Sequence, residues 1–360
     1  MESVYIDGST GEGGGQILRT SLALACITGK ALHIENIRAA RRNPGLARQH
    51  LVCAEAARQI CDAKCGGATL GSRVLDFQPG SIRSGDFYFD IGSAGSASLV
   101  VQTVLPALFL AGQPSTVTVT GGTYNPMAPP FDFLCETFLP AIAAARFQAN
   151  CRLIKPGFFP AGGGKMTIDV QPWQKSASQK IDFCGPAGQA KIYARIYTAK
   201  LPAHIAQRQK RLLSASGLDL QDIEHVEVTD SVGAGNCVMI RLCGPAEGGL
   251  DPVQSFVLGR TTIFTAFGMK GKPSEQVVGE VVARARDFLA SGAAVDRFLA
   301  DQILIYMALS KSGSYTTNEL STHLRTNMEI IQKFLPVSFN VERQGQIYRI
   351  SFVCKEGGQS

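Results

Sequence analysis

Residues 7–19 read DGSTGEGGGQILR. A β-branched run, Val4-Tyr5-Ile6, leads in, and a helix-forming run over 16–26 leads out. The order is strand, glycine-rich turn, helix N-terminus. Glycines let backbone N–H groups approach an anion closely, and a helix N-terminus leaves several N–H groups unpaired and partly positive. Glu12 is the one carboxylate within the turn, where a cation would sit beside phosphates, and Arg19 follows in the opening of the helix. The string matches neither the dinucleotide nor the P-loop spacing, so from the glycines alone an anion cradle and a plain tight turn stand level.

Outward from this turn the chain reads as an α/β protein. Strands are expected at 4–7, 31–37, 68–70 and 74–78, with helices over 16–28 and 45–61. The same βαβαββ order follows at 87–170, with strands at 87–91, 115–120, 148–154 and 165–170 and helices over 97–110 and 131–145. Both units pass from first strand to first helix through small residues, here Gly92-Ser93-Ala94-Gly95-Ser96. A third unit starts at 180–184 and is interrupted by a small α/β insert at 185–272, bounded by Gly185-Pro186 and a Gly/Pro-containing edge at 271–273. Within the insert we expect strands at 191–197, 225–229 and 237–242 and a helix over 203–216. The third unit resumes with helices over 274–289, 295–310 and 325–335, a strand at 315–317 and a hairpin at 337–353. The reading is one large domain, 1–184 with 273–360, and an inserted domain, 185–272.

Composition agrees. Of 360 residues, 45% are hydrophobic and 18% charged, which suits a globular chain with a substantial core. The net charge of +6 leans mildly toward anionic partners. The N-terminus has no basic and apolar leader, and the longest apolar stretch is too short to span a bilayer, so no membrane association is expected. The ten cysteines lack zinc spacing and read as buried hydrophobes in a reducing, cytoplasmic setting.

Four further stretches carry chemistry. IRAARRNPG at 37–45, leading to Arg48-Gln49-His50, gathers arginines suited to bidentate phosphate binding or to a solvated loop. GGTYNPMAPP at 121–130 is either punctuation or a proline wall for a planar ligand. FLADQ at 298–302 puts Phe298, Asp301 and Gln302 on one helix face, able to stack a base and hold a ribose, or simply half-buried. His323, in LSTHLRTN at 320–327, lies in a polar junction, whereas His33, His204 and His225 sit in strand or insert patterns. A neutral imidazole is a competent nucleophile at phosphorus, although a lone histidine is also a common structural residue.

DGSTGEGGGQILRTSLALACITGK, IRAARRNPGLARQHL, GSAGSASLVVQTVLPAL, GGTYNPMAPP, GFFPAGGG, FLADQ and HLRTN occur in this order along almost the whole chain. Together they resemble the RNA 3′-terminal phosphate cyclases. The resemblance implies a large domain of three βαβαββ repeats, similar to the C-terminal domain of a bacterial translation initiation factor, with a smaller inserted α/β domain. It implies an ATP-dependent reaction in which a histidine takes AMP and passes it to an RNA 3′-phosphate. The vicinal 2′-OH then closes a 2′,3′-cyclic phosphate, whereas DNA ends would stop at the adenylated stage.

What the resemblance implies for single residues follows from the matching positions. His323 matches the nucleophile, and Glu12 the carboxylate that holds a divalent metal, Mg2+ or Mn2+, beside the ATP phosphates. Gln102, Pro129 and the run Phe298, Leu299, Ala300, Asp301 and Gln302 match the nucleotide pocket, with Phe298 and Pro129 on opposite adenine faces and Asp301 at the ribose. Arg19, Arg38, Arg41, Gln49 and His50 match positions around the phosphates and the RNA 3′-phosphate end. Phe298 stands where some relatives are expected to carry tyrosine; stacking survives the change, a hydroxyl contact does not. Arg208, Lys210 and Arg211 on the insert helix either touch RNA or form a solvated face.

Three other readings compete. A non-catalytic cyclase-like ribosome-assembly factor would lack the histidine present here as His323. An enolpyruvyl transferase shares repeat architecture but needs neither the histidine nor an adenine pocket. A passive RNA-binding module would show a stacking platform or a basic stripe.

Overall fold

The computed structural model describes residues 2–175, 180–185, 190–244 and 261–354. Pro186 and residues 245–260, expected within the insert, lie outside the described residues. The described residues form mixed α/β layers with four four-stranded sheets. In the first, β1 (Ser3–Asp7) pairs in parallel with β2 (Ala31–Glu35) across helix α1 (Gly15–Thr28). After α2 (Arg48–Ile60) come β3 (Lys64–Gly66) and β4 (Leu75–Gln78), both added antiparallel, giving the order β1-β2-β4-β3. The strand expected at 68–70 is displaced to Lys64–Gly66, because Gly67 adopts φ +75° and turns the chain before residue 68.

The second sheet, β5 (Asp86–Asp90), β6 (Ser115–Gly121), β7 (Ala149–Lys155) and β8 (Gly164–Val170), has the order β5-β6-β8-β7 with the same pairing directions. Its helices are α3 (Ala97–Phe109) and a broken one: α4 (Phe131–Phe133), a π-helical turn (Leu134–Phe138) and α5 (Leu139–Ala143). In the third, a short β9 (Asp182–Phe183) pairs in parallel with β14 (Ser314–Thr317). The sheet continues antiparallel to β16 (Ile347–Cys354) and β15 (Val337–Gln344).

The fourth sheet lies within the stretch expected as the insert: β10 (Lys191–Ala199), β11 (Leu220–Val228), β12 (Gly235–Cys243) and β13 (Thr261–Phe267), in the order β11-β10-β12-β13. Helix α6 (Ala203–Ser214) lies on it, and so does α7 (Ser274–Ser291). We expected that last helix in the third unit. Its apolar stripe of Val277, Val278, Val281, Val282, Ala285 and Phe288 instead fills the insert core with Val238, Ile240 and Phe264. A stripe at helical spacing says that a helix buries one face, not which sheet receives it. Arg208 on α6 pairs with Glu275 on α7 at 2.6 Å, so one of the three insert cations already has a protein partner.

The remaining helices are α8 (Arg297–Gln302), α9 (Leu304–Ser310) and α10 (Thr322–Phe334). One helix was expected over 295–310. Asp296 caps the start of α8, accepting from Phe298 N at 2.7 Å, and the chain bends at Ile303. Helix α1 is the hub. Ile17, Leu18, Leu22 and Leu24 are fully buried, each contributing about 1.5–3 kcal/mol, and α1 packs against α2, α3 and α10. This central position brings the first turn of α1 against residues from both ends of the chain.

Candidate active site

The glycine turn sets the first wall. Gly11 and Gly13 take φ +56° and +57°, which lets the chain reverse before α1. The first turn of α1 has no side-chain cap at Gly14, but Glu12 Oε1 accepts from Gln16 N at 2.9 Å. Glu12 N donates to Thr326 Oγ1 at 3.1 Å, so the turn is tied to α10.

His323 lies in the first turn of α10, where Ser321 Oγ accepts from Leu324 N at 3.1 Å and starts the helix. His323 is an exposed residue, and its Nδ1 meets Gln16 Oε1. The other end of that amide, Nε2, donates to Asp301 Oδ2 at 2.5 Å. Beside this line, Thr20 Oγ1 donates to Asn327 Oδ1 at 2.7 Å, and Asn327 Nδ2 donates to the Asp301 carbonyl at 2.9 Å. Helices α1, α8 and α10 are thus cross-linked at one point.

Around this point runs a cleft of about 380 Å3. Gln16, Arg19, Asp301 and His323 line it. Phe298, Gln102, Gln302 and Pro129 line it too, with Pro126, Met127 and Pro130. Gln102 Nε2 donates to Gln302 Oε1, and Gln302 Nε2 donates to the Phe298 carbonyl at 2.7 Å. The Phe298 ring is 39% exposed, and the Arg297 guanidinium carbon lies 4.9 Å from its centroid. Ile263 and Thr265 of β13 and Arg284 of α7 also line the cleft.

Leu299 and Ala300 do not line the cleft; both side chains are in the core, and the Ala300 carbonyl accepts from Tyr315 Oη at 2.6 Å. Arg38, Arg41, Gln49, His50 and Glu12 are not on the lining of the cleft. Arg38, itself at φ +56°, donates to the Gly45 carbonyl at 2.7 Å, and Arg41 pairs with Glu12 at 2.9 Å. Gln49 Oε1 accepts from Ser96 N at 2.6 Å, joining α2 to the second small-residue turn. A Cβ placed on Gly15 would meet His50 Nε2 and Arg19 Nη1, so these two side chains flank the start of α1. Sequence reasoning missed Gln16. The available signal was an amide in the first turn of the helix that follows the glycine turn, one turn ahead of Arg19 and Thr20.

Electrostatics favour an anion here. No hydrogen bond or ion pair among the described residues engages the Arg19 guanidinium, although burial lowers its pKa. Burial, reinforced by Arg19, Arg38 and Arg41, pushes His50 down to about 3, so that ring is neutral, and its buried Nδ1 has no partner among the described residues. Burial also lowers His323, against the pull of Glu12, which leaves a neutral ring at neutral pH. Burial pushes Asp301 up to about 7. No cluster of three or more His, Cys, Asp or Glu exists among the described residues, so protein ligands for a metal are limited. No helix among the described residues is long and apolar enough to cross a membrane.

The family model described as RNA 3′-terminal phosphate cyclase matches residues 10–341. Relatives named RNA 3′-terminal phosphate cyclase include one from Koribacter versatilis, 42% identical over 357 residues, covering 99% of this chain and 96% of the relative. One from Salmonella agona is 40% identical over 355 residues, covering 99% and 98%. A third, from Pseudomonas fluorescens, is 42% identical over 338 residues, covering 94% of each chain.

Proposed function

The chain belongs to the RNA 3′-terminal phosphate cyclase family, and on that premise we propose that it closes RNA 3′-phosphate ends to 2′,3′-cyclic phosphates at the expense of ATP, with His323 as the nucleophile. The observation that carries this reading is the setting of His323. It is a neutral ring in a nucleotide-sized cleft, its Nδ1 engaged by Gln16 and the unpaired cation Arg19 on the same lining.

In this reading His323 Nε2 attacks the α-phosphorus of ATP. The N–P bond forms as the P–O bond to pyrophosphate breaks, and pyrophosphate leaves with that electron pair. An oxygen of the RNA 3′-phosphate then attacks the same phosphorus and the N–P bond breaks, which returns the pair to Nε2 and gives an RNA-pp-A end. The vicinal 2′-OH attacks the activated terminal phosphorus; the O–P bond forms as the P–O bond to AMP breaks, AMP leaves with that electron pair, and the hydroxyl proton passes to the departing AMP or to water. Every step gathers negative charge, so charge placement carries most of the catalysis. Arg19 would neutralise phosphate charge, while Arg38, Arg41, Gln49 and His50 would gather the RNA end beside it. Phe298 would stack adenine opposite Pro129, with Gln102 and Gln302 at the base edge.

Glu12 offers a single carboxylate, which fits Mg2+ or Mn2+ held mainly by substrate phosphates and water. Its buried oxygens are already shared by Gln16 N and the exposed Arg41, and only Arg41 is free to swing away. When bound, the ion would neutralise phosphate charge. Residues 1–184 and 273–360 are taken as the catalytic domain and 185–272 as the insert, with α7 at the seam. Ten unpaired thiols suit a reducing cytoplasm.

The test is incubation with α-labelled ATP and magnesium, then denaturing electrophoresis, with His323→Ala alongside. Acid-labile, alkali-stable label on the wild type alone is the expected result. No label on folded, nucleotide-free wild type would sink the catalytic reading in favour of an assembly factor. Label persisting on the variant would assign the adduct to another residue.

A further inference from the structure

The amide of Gln16 lies between two side chains with different hydrogen-bonding powers. An ionised carboxylate only accepts, so Asp301 Oδ2, 2.5 Å away, requires the NH2 end of Gln16. The opposite orientation would set two acceptors against each other. With NH2 committed to Asp301, the Gln16 carbonyl oxygen faces His323 Nδ1. Two acceptors cannot share that contact either, so Nδ1 carries the ring proton. Nε2 is then left with its lone pair, on a ring that lines the cleft.

We propose that Gln16 is a positioning residue for the adenylylation step: oriented by Asp301, its amide holds His323 in the Nδ1–H tautomer and presents Nε2 as the attacking atom. The role rests on the reading of His323 as nucleophile. It has a chemical consequence. When Nε2 bonds to phosphorus the ring becomes cationic, and its Nδ1 proton stays in place, donated to the Gln16 oxygen. No general base is needed to remove a proton, and when the RNA phosphate takes AMP the pair returns to Nε2 with the ring in its starting tautomer. The Asp301 carboxylate, two hydrogen bonds away, offsets the transient charge. Asp301 is therefore engaged by protein, and a ribose is not required to explain its presence.

The arrangement predicts which substitutions fail and which pair rescues. In Asp301→Asn the residue at 301 can donate, the Gln16 amide can reverse, and its NH2 can face Nδ1, which selects the Nε2–H tautomer and blocks attack. In the double variant Gln16→Glu/Asp301→Asn the side chain at 16 accepts from both neighbours. The amide at 301 supplies one hydrogen and His323 Nδ1 the other, so the original tautomer returns.

The experiment combines 15N-histidine NMR of the full chain with the rate of AMP transfer from labelled ATP. We expect Nδ1–H for His323 in the wild type and Nε2–H in Asp301→Asn. We expect a loss on the order of 100-fold in rate with little change in the ATP KM for the single variant, toward the low end for partners that orient a catalytic imidazole. The double variant should recover most of both signals. A wild-type Nε2–H tautomer, or a folded double variant no faster than the single one, overturns the role of Gln16 while leaving labelled His323 intact. Absence of label from the wild type overturns the nucleophile assignment and the role together.

Discussion

Glu12 Oε2 and Arg41 Nη2 meet at 2.9 Å, and the two side chains are unequally exposed: 4% for the carboxylate and 43% for the guanidinium. The acid is therefore the fixed partner, held from behind by Gln16 N, and the arginine the movable one. Because the guanidinium keeps 43% of its surface exposed, it can swing into solvent and a phosphate-bound cation can take its place beside Glu12. Glu12→Ala should raise the magnesium concentration needed for half-maximal AMP transfer by about tenfold or more. Arg41→Ala should not raise it. A magnesium titration of label incorporation checks both, and an unchanged midpoint in Glu12→Ala would remove the metal from this residue.

Phe298 keeps 39% of its surface exposed, with the Arg297 cation against its ring. If the ring stacks adenine, Phe298→Ala should raise the ATP KM by about 5- to 150-fold, the range expected for one base stacked on one aromatic ring. Phe298→Tyr should stay within about twofold of the wild type, since the stacking face is retained. Steady-state kinetics with varied ATP decide it; an unchanged KM in the alanine variant would place the base elsewhere.

Gly15 opens α1, and a Cβ there would run into His50 Nε2 and Arg19 Nη1. One of these packed side chains must shift to admit the methyl group, so Gly15→Ala should fold with a lowered Tm even though alanine is favoured over glycine within a helix by about 1 kcal/mol. It should also lose about tenfold or more in activity, because the cation at the cleft is displaced. Thermal denaturation beside the AMP-transfer assay separates the two effects; full activity would show that the pair tolerates the shift.

Burial pushes the Asp301 carboxyl up to about 7 from an ordinary value near 3.8. The folded state then holds the proton more tightly than the unfolded state. This contribution to stability is largest below pH 4 and falls as pH rises through about 7. The groups facing Asp301 are Gln16 and Arg19 from α1, both lowering its pKa, and Asp296 on its own segment, raising it. Asn327 from α10 reaches its carbonyl, and Tyr315 from β14 lies close enough to feel its charge. About three units correspond to a cost on the order of 4 kcal/mol at pH 8. Asp301→Asn should flatten the decline between pH 4 and 7 in denaturant unfolding. AMP transfer by the wild type should rise as pH passes about 7, because only the ionised carboxylate fixes the Gln16 amide. A pH-independent rate there would detach Asp301 from the step.

At the joint between the layers, Arg241 of β12 meets Glu136 of the π-helical turn at 2.5 Å, and Arg195 donates to Asp132 at 3.3 Å. Burial raises Glu136 despite these cations. Arg241→Met alone leaves a buried acid without its main partner and should cost about 3–5 kcal/mol, while Arg241→Met/Glu136→Gln should recover most of it. Urea unfolding of the singles and the double measures the coupling.

The local sequence was enough for the elements whose signals are local. The glycine turn, α1, the parallel β1–β2 pair and most strands lie within a residue or two of their expected positions, since period and turn chemistry act over a few residues. Tertiary structure alone decided that the stripe of α7 faces the insert sheet, because an apolar face does not name its partner. It alone drew Leu299 and Ala300 into the core while leaving Phe298 and Gln302 on the cleft. It also decided the site. Gln16 reaches Asp301 across 285 residues and His323 across 307, and no local pattern encodes contacts at those separations. They arise because α1 is buried on every side, and three helices must bring their polar first turns or ends together where its apolar packing stops.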